Sequence, residues 1–313
     1  MRHPPVYSNP KMIRILGTVF AGLFGLLFGS FLNVCLSRWP EGESVVKPRS
    51  HCSSCGRTLE WWENVPLLSW LALRGRCRTC GARIGWRHPL VELATGVVWA
   101  TIAWQSTNLP LYLLSVSSQG IPVSFSPHFL LQAILKSAGR MIFVWMLVGL
   151  AALDAERLWL PDIVTIPGVI LGAVFMLLGA NSMLPAEMSA GSPILQLLYL
   201  AFAILAAAGM ILLIRWGYWL VRRREGIGLG DAKLMAMLGA WLGFAETLLA
   251  FAIGVAVAAF AALILLAVLR RPNETGSWAT MKLPLGTFLC IGGIVSALWG
   301  HPIITAYLRW AGF

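Results

Sequence analysis

The chain has 313 residues, of which 58% are hydrophobic and only 12% charged, with a formal net charge of +11. A soluble domain carries about a quarter charged residues, so this composition excludes a protein that covers itself with polar surface. The positive charge does not mark a nucleic-acid binder, because the basic residues gather in short loops between apolar runs, where the positive-inside rule places them.

Met1 to Lys11 is basic and Pro-rich, and an apolar run from Met12 to Leu36 follows. That run is too long for a signal-peptide core and lacks a small-x-small cleavage site, so it reads as a retained first transmembrane helix. Apolar runs able to cross about 30 Å of hydrocarbon recur along the chain. Eight helices are expected, at about 13–36, 89–105, 129–152, 163–180, 195–220, 232–245, 247–269 and 283–302. The sixth and seventh are the least separable, with only Phe244-Ala245-Glu246 between them. The expected fold is an all-α polytopic membrane protein. Its segments are 1–36 (N-terminal segment and first helix), 37–88 (a long loop), 89–128 (second helix and outer loop) and 129–313 (six helices).

The loops set the orientation. Ser37 to His88 holds Arg38, Lys47, Arg49, Arg57, Arg74, Arg76, Arg78, Arg83 and Arg87, whereas Gln105 to His128 has no Lys, Arg, Asp or Glu. Later loops alternate in the same sense, through Asp154 to Asp162, the sparsely charged Asn181 to Pro193, and Arg222-Arg223-Arg224. The N-terminus is therefore expected outside and the long loop inside, although Arg2, Lys11 and Arg14 oppose this.

Within that loop, Cys52-Ser-Ser-Cys55 and Cys77-Arg-Thr-Cys80 form two C-x-x-C knuckles, each followed by a glycine, Gly56 and Gly81. The glycine permits the tight turn that aims both sulfurs at one ion. Four thiolates suit a tetrahedral structural zinc, which would staple a loop too small to hold a core of its own. The alternatives are two disulfides or a redox pair, and a reducing cytosol disfavours disulfides. His51 and His88 read as polar loop residues, and Cys35 and Cys290 as small core residues. Trp61, Trp62, Trp70 and Trp86 could stack nucleic-acid bases, but beside a bilayer they suit a small core or the membrane interface.

Aspartate is scarce: the chain has only Asp154, Asp162 and Asp231, all at expected cytoplasmic helix ends. Two carboxylates brought together split their pKa values, so one serves as base and the other as acid. Gly228 and Gly230, just before Asp231, would let a peptide backbone approach closely. The plainer alternatives are that Asp231 caps the sixth helix and that Asp154 pairs with Arg157 or Lys233. Spacing alone also leaves room for a transporter or a membrane scaffold.

Five pieces occur in order: Phe28-Gly-Ser-Phe-Leu-Asn33-Val, the paired knuckles, Pro89-Leu-Val-Glu92-Leu-Ala-Thr-Gly96, Asp154 with Leu160-Pro161-Asp162, and Gly228-Leu-Gly230-Asp231-Ala-Lys233. Together, over about residues 20–300, they resemble the bacterial prepilin peptidases of type IV pilus and type II secretion systems. The resemblance implies a multi-pass inner-membrane aspartic endopeptidase with Asp154 and Asp231 as the catalytic pair. Asp162, Gly228, Gly230 and Lys233 would support them within the segment 129–313. It implies prepilin and pseudopilin substrates, cut on the cytoplasmic side after the glycine that ends a short basic leader. It also implies N-methylation of the new N-terminus from S-adenosylmethionine, associated with the zinc loop, with Glu92 and Gly96 as candidate contributors. Their alternative roles are a carboxylate at a helix start and a packing glycine. The chain departs from the family in reading Leu285-Gly286-Thr287 where Phe-Gly-Pro is frequent, and Cys-Leu-Ser-Arg-Trp-Pro at the end of the first helix.

Overall fold

The computed structural model describes residues 10–106, 127–178, 192–223, 228–268 and 283–312. Its long helices are α1 (Pro10–Arg38), α3 (Arg87–Ser106), α4 (Pro127–Arg157), α5 (Asp162–Leu177), α6 (Pro193–Arg222), α7 (Leu229–Val268) and α8 (Leu285–Trp310), with one short helix, α2 (Leu68–Ala72). No strand is formed among the described residues, where pairing is limited to two isolated bridges. By length and composition α1, α4, α6, α7 and α8 can each cross a membrane. The outer loop at 107–126 and the expected helix ends at 179–180 and 269 lie outside the described residues.

The chain divides into two compact units, 1–149 and 150–313. In the first, α1 packs on α3 through positions where a side chain has no room. A Cβ on Gly25 would lie 2.9 Å from the Thr95 carbonyl oxygen, and one on Gly29 would lie 2.7 Å from the Glu92 Cα. Small residues let two backbones approach where lipid gives no hydrophobic drive for association. Phe24 and Phe28 close the seam against Trp99, with ring centroids 6.2 and 5.0 Å away. The start of α4 joins them: the Trp99 indole donates to the Met141 carbonyl at 3.1 Å, and the Trp145 indole to that of Phe28 at 3.1 Å. The outer face of α1, including Leu16, Phe20 and Leu23, is exposed, as suits a lipid-facing surface.

In the second unit α7 is the hub, packed on α5, α6 and α8. It is not one straight rod. Gly243 has φ 75° and ψ −179°, a conformation essentially reserved for glycine. A Cβ on Gly230 would lie 3.1 Å from Leu160, and one on Gly286 would lie 2.9 Å from the same leucine. Yet a Cβ on Gly254 would lie 3.1 Å from the Leu289 Cα. An unbroken helix would separate residues 230 and 254 by about 36 Å, so the chain must fold back at Gly243. The second arm runs antiparallel to α8, with Ser296 donating to the Glu246 carbonyl at 2.7 Å. The sixth and seventh helices of the sequence reading are these two arms, 229–242 and 244–268, and the break falls at Gly243 rather than after it. Among the described residues the chain thus forms seven long helices, one of them folded back on itself, and five are long and apolar enough to cross a membrane.

Gly243→Ala should lower the thermal stability of the detergent-solubilised protein by about 1–3 kcal/mol through backbone strain. Gly209→Ala, in mid-α6 with nothing within 4 Å of its added methyl, should leave it unchanged or raise it slightly.

Candidate active site

Asp154 stands in the last turn of α4. The helix ends there because Leu158 takes a left-handed φ of 51°, while its N–H still bonds to the Asp154 carbonyl at 2.9 Å. Pro161 then starts α5, its carbonyl accepting from Val164 and Thr165 at 3.1 Å each. Asp231 comes from the first turn of α7. Both carboxylates are buried, with relative exposures of 5% and 8%.

The Asp154 side chain and the Gly230-Asp231 turn, 77 positions apart in sequence, both lie beside Leu160. One side of Leu160 fills the space beside Gly230; the other fills the space beside Gly286, whose own Cβ would lie 2.9 Å from the Asp154 Oδ2. Buried Cys290 lies one turn beyond Gly286.

Each carboxylate is held. Asp154 Oδ2 accepts the Thr287 backbone N–H at 2.6 Å and lies 3.1 Å from the Thr287 Oγ1. That hydroxyl also lies 3.1 Å from the Ala151 carbonyl. Its single proton has two acceptors, so Thr287 can donate to an ionised Asp154 or turn to Ala151 and accept from a protonated one. Asp231 Oδ2 accepts the Gly228 N–H at 3.2 Å. Two of the simpler alternatives do not describe the pair: Lys233 binds Asp162 rather than Asp154, at 2.6 and 2.8 Å, and Asp231 sits inside the first turn of α7 rather than capping it. The two glycines also differ. Gly230 is tight because Leu160 packs there, whereas among the described residues a Cβ on Gly228 would meet nothing nearer than Asp231 at 3.5 Å.

Thr287 is the residue the sequence did not single out. The departure from Phe-Gly-Pro marked the position, but not that a threonine there supplies two donors where proline has none. Thr287→Val keeps the backbone donor and removes the hydroxyl. It should lower kcat by about 10–100-fold with KM little changed, the worth of one hydrogen bond to a charged group, and Thr287→Ser should restore it. Steady-state hydrolysis of a leader-bearing peptide measures both.

The cysteine loop is built as the spacing implied. The Gly56 and Gly81 N–H groups close the knuckles onto the Cys52 and Cys77 carbonyls at 2.9 and 3.0 Å, with φ of 69° and 70°. All six cysteines are free of disulfides. The four sulfurs of Cys52, Cys55, Cys77 and Cys80 lie within 4.8 Å of one another, and those of Cys52 and Cys80 are 3.8 Å apart. Tetrahedral zinc with bonds of about 2.3 Å requires sulfur separations of about 3.8 Å, so the group fits a metal ion. Backbone N–H groups of Cys80 and Thr79 pull the Cys77 thiol down. Cys80, despite the Ala82 N–H, is pushed up by burial and by its neighbouring thiols. A bound cation would relieve that crowding. His51 stays outside the cluster, its Nδ1 3.1 Å from the Arg49 carbonyl. Of the loop tryptophans, Trp70 meets Trp86 at 4.4 Å and Arg78 covers Trp62 at 5.3 Å, while Trp61 is exposed. The loop is further tied by Arg57, which grips Glu63 at 2.6 and 2.8 Å and holds its carboxyl below the usual range.

Glu92 and Gly96 occupy one helix but different settings. Gly96 faces α1, where a Cβ would lie 2.7 Å from Leu26, which is the packing role. Glu92 is buried and accepts the Leu67 N–H at 2.8 Å.

The fold and this site define a multi-pass membrane protein with a buried aspartate pair at the ends of two spans, in a chain that also carries a four-cysteine loop able to hold a metal ion. Comparison with known proteins narrows the class. Residues 23–106 match the bacterial peptidase A24 N-terminal domain, and residues 141–268 match the type IV leader peptidase family. The prepilin leader peptidase/N-methyltransferase of Pseudomonas aeruginosa is 33% identical, over 93% of this chain and 93% of its own length. Those of Aeromonas hydrophila (33% identical, 91% and 92% covered) and Stutzerimonas stutzeri (30%, 97% and 96%) are similar in extent. No solved structure matches the chain. The chain belongs to the type IV leader peptidase family and is a multi-pass inner-membrane enzyme.

Proposed function

We propose that this protein removes the short basic leader from type IV prepilins and pseudopilins at the cytoplasmic membrane face, with Asp154 and Asp231 as the catalytic pair. It then N-methylates the new N-terminal residue from S-adenosylmethionine. The observation that carries the peptidase reading is the convergence of two buried carboxylates from separate helices on Leu160, inside the segment matched to the leader peptidases. In the reaction the ionised carboxylate takes a proton from water, and the water oxygen attacks the scissile carbonyl. The protonated carboxyl gives its proton to the leaving amine. The pair titrates as a unit, so the roles belong to the pair and not to either residue alone. Thr287 and the Gly228 N–H orient the two carboxyls. Asp162 and Lys233 form an ion pair beside the α7 start that is about half exposed on each side, and they have a supporting role.

Charge bias supports the orientation, with Arg-rich 37–88 and the aspartate ends on the cytoplasmic side. There the four cysteines hold a structural zinc that shapes the loop. The test is incubation of a prepilin with the purified protein and S-adenosylmethionine, followed by mass spectrometry of the pilin N-terminus. Loss of the leader together with a gain of one methyl is expected. An uncut prepilin across a range of pilin-like substrates would overturn the reading.

A further inference from the structure

Three cations of the first unit stand away from the cysteine loop, inside helices α1 and α4 that are apolar enough to span a membrane. Arg14 lies about 36 Å along the α1 axis from Arg38, a bilayer's thickness from the loop end of that helix. Its guanidinium covers the Trp104 ring at 3.5 Å, and its Nε is buried without a hydrogen-bond partner among the described residues. On the next residue of α3, the Gln105 Oε1 accepts from the Arg140 Nη2 of α4 at 2.7 Å. Lys136 is exposed and stands four residues before Arg140, on the same side of α4. Two neutral neighbours on α3 thus orient cations from the helices on either side of it.

The sequence supplies no counter-ion at this end. Residues 1–37 and 93–149 hold Arg2, Lys11, Arg14, Lys136 and Arg140 and not one Asp or Glu. The carboxylates of the unit, Glu41, Glu43, Glu60, Glu63 and Glu92, belong to the cysteine loop and its flanks. Cations within a membrane segment are retained where something pairs with them, and like charges at i and i+4 weaken a helix. Topology does not account for them either, since they lie at the end expected outside, where the charge rule disfavours Lys and Arg. The surroundings fix the kind of anion. Leu16 and Phe20 of α1 and Leu131 and Ile134 of α4 are exposed, so the cations are flanked by apolar surface, and the anion that reaches them must bring apolar chains of its own.

We propose that Arg14, Lys136 and Arg140 form a binding site for the phosphodiester of an anionic phospholipid, whose acyl chains lie along the exposed faces of α1 and α4. The guanidinium groups donate charge-assisted hydrogen bonds to the phosphate oxygens, and Lys136 adds a mobile point charge. Exposed Trp104 occupies the headgroup level beside them, as aromatic side chains do at a membrane interface. A zwitterionic lipid offers the same phosphate with its own cation attached, so net negative charge decides the preference.

The test is native mass spectrometry of the full-length protein, stripped of lipid in detergent and titrated with phosphatidylglycerol or phosphatidylcholine. The wild type should bind one phosphatidylglycerol about 10-fold more tightly than phosphatidylcholine. Lys136→Gln with Arg140→Gln should raise the Kd for phosphatidylglycerol about 10-fold and that for phosphatidylcholine less than about 2-fold. Arg140→Lys, which keeps the charge, should stay within about 3-fold of the wild type. Photo-cross-linking of the wild type with a phosphatidylglycerol carrying a diazirine near its headgroup gives an answer that does not depend on a variant folding. Labels are expected within 11–24, 97–106 and 131–144, and weaker with the phosphatidylcholine analogue. Equal affinity for the two lipids, or labels confined to other segments, would overturn the site. Displacement of the lipid by millimolar inorganic phosphate would show that a free anion suffices and would overturn the lipid as its occupant.

Discussion

Asp231→Asn is expected to reduce leader cleavage by about 10³-fold or more with the protein still folded, and Asp154→Asn is expected to do the same. Asparagine matches the carboxyl in size and still accepts the hydrogen bonds from Gly228 or Thr287, so packing around Leu160 should survive. What is lost is a group that can gain and give a proton, and general acid–base catalysis accounts for about 10²–10⁴ in rate for a single such group. In a two-carboxyl mechanism neither partner can cover for the other, so the double variant should be scarcely slower than either single one. Asp162→Asn provides the contrast. It breaks a half-exposed pair with Lys233, whose worth to stability is about 0–1 kcal/mol, and most of the cleavage should remain. Gel-resolved cleavage of a prepilin, with thermal unfolding as the check on folding, decides between these roles. Equal loss in Asp162→Asn and Asp231→Asn would reassign them.

Removing the proposed zinc is expected to unfold the cysteine loop. Apart from its ligands the segment 50–85 buries few side chains, chiefly Glu63 and Pro66, and its order rests on the Arg57–Glu63 pair and short backbone turns. Structural zinc contributes about 10–16 kcal/mol to such small sites at neutral pH, far more than those contacts can replace. Cys52→Ser with Cys77→Ser should lower bound zinc from about one per chain to near none, and strip protease and hydrogen-exchange protection from 50–85. Peptide hydrolysis at the aspartate pair should persist, because its carboxyls supply both proton transfers. Acidification should act in the same direction as the double variant. Protons compete with the metal for thiolates, so zinc is retained above the pH where the cysteines ionise and is lost as pH falls through it. Full protection of 50–85 in the metal-free protein would contradict a structural zinc. Elemental analysis and limited proteolysis read both quantities.

The sequence by itself determined the class of the molecule, since apolar runs long enough to cross a bilayer and loops of alternating charge are local properties. It also determined the four-cysteine loop, because C-x-x-C followed by glycine fixes the knuckle within a few residues, and the observed φ at Gly56 and Gly81 is the one that spacing demands. The scarcity of aspartate narrowed the candidate site to three residues. Tertiary structure decided the rest. Which aspartates meet depends on helices that are distant in sequence, and their meeting point, Leu160, is an apolar residue with no chemistry of its own. That Lys233 serves Asp162 and that Thr287 serves Asp154 were choices among partners that spacing leaves equal. The fold-back of α7 was half legible: its position showed as a weak break at 244–246, but one glycine can end a helix, kink it or sit harmlessly within it. Only the packing of both arms against α8 selects among these, because φ at a glycine costs little either way and the neighbours settle it.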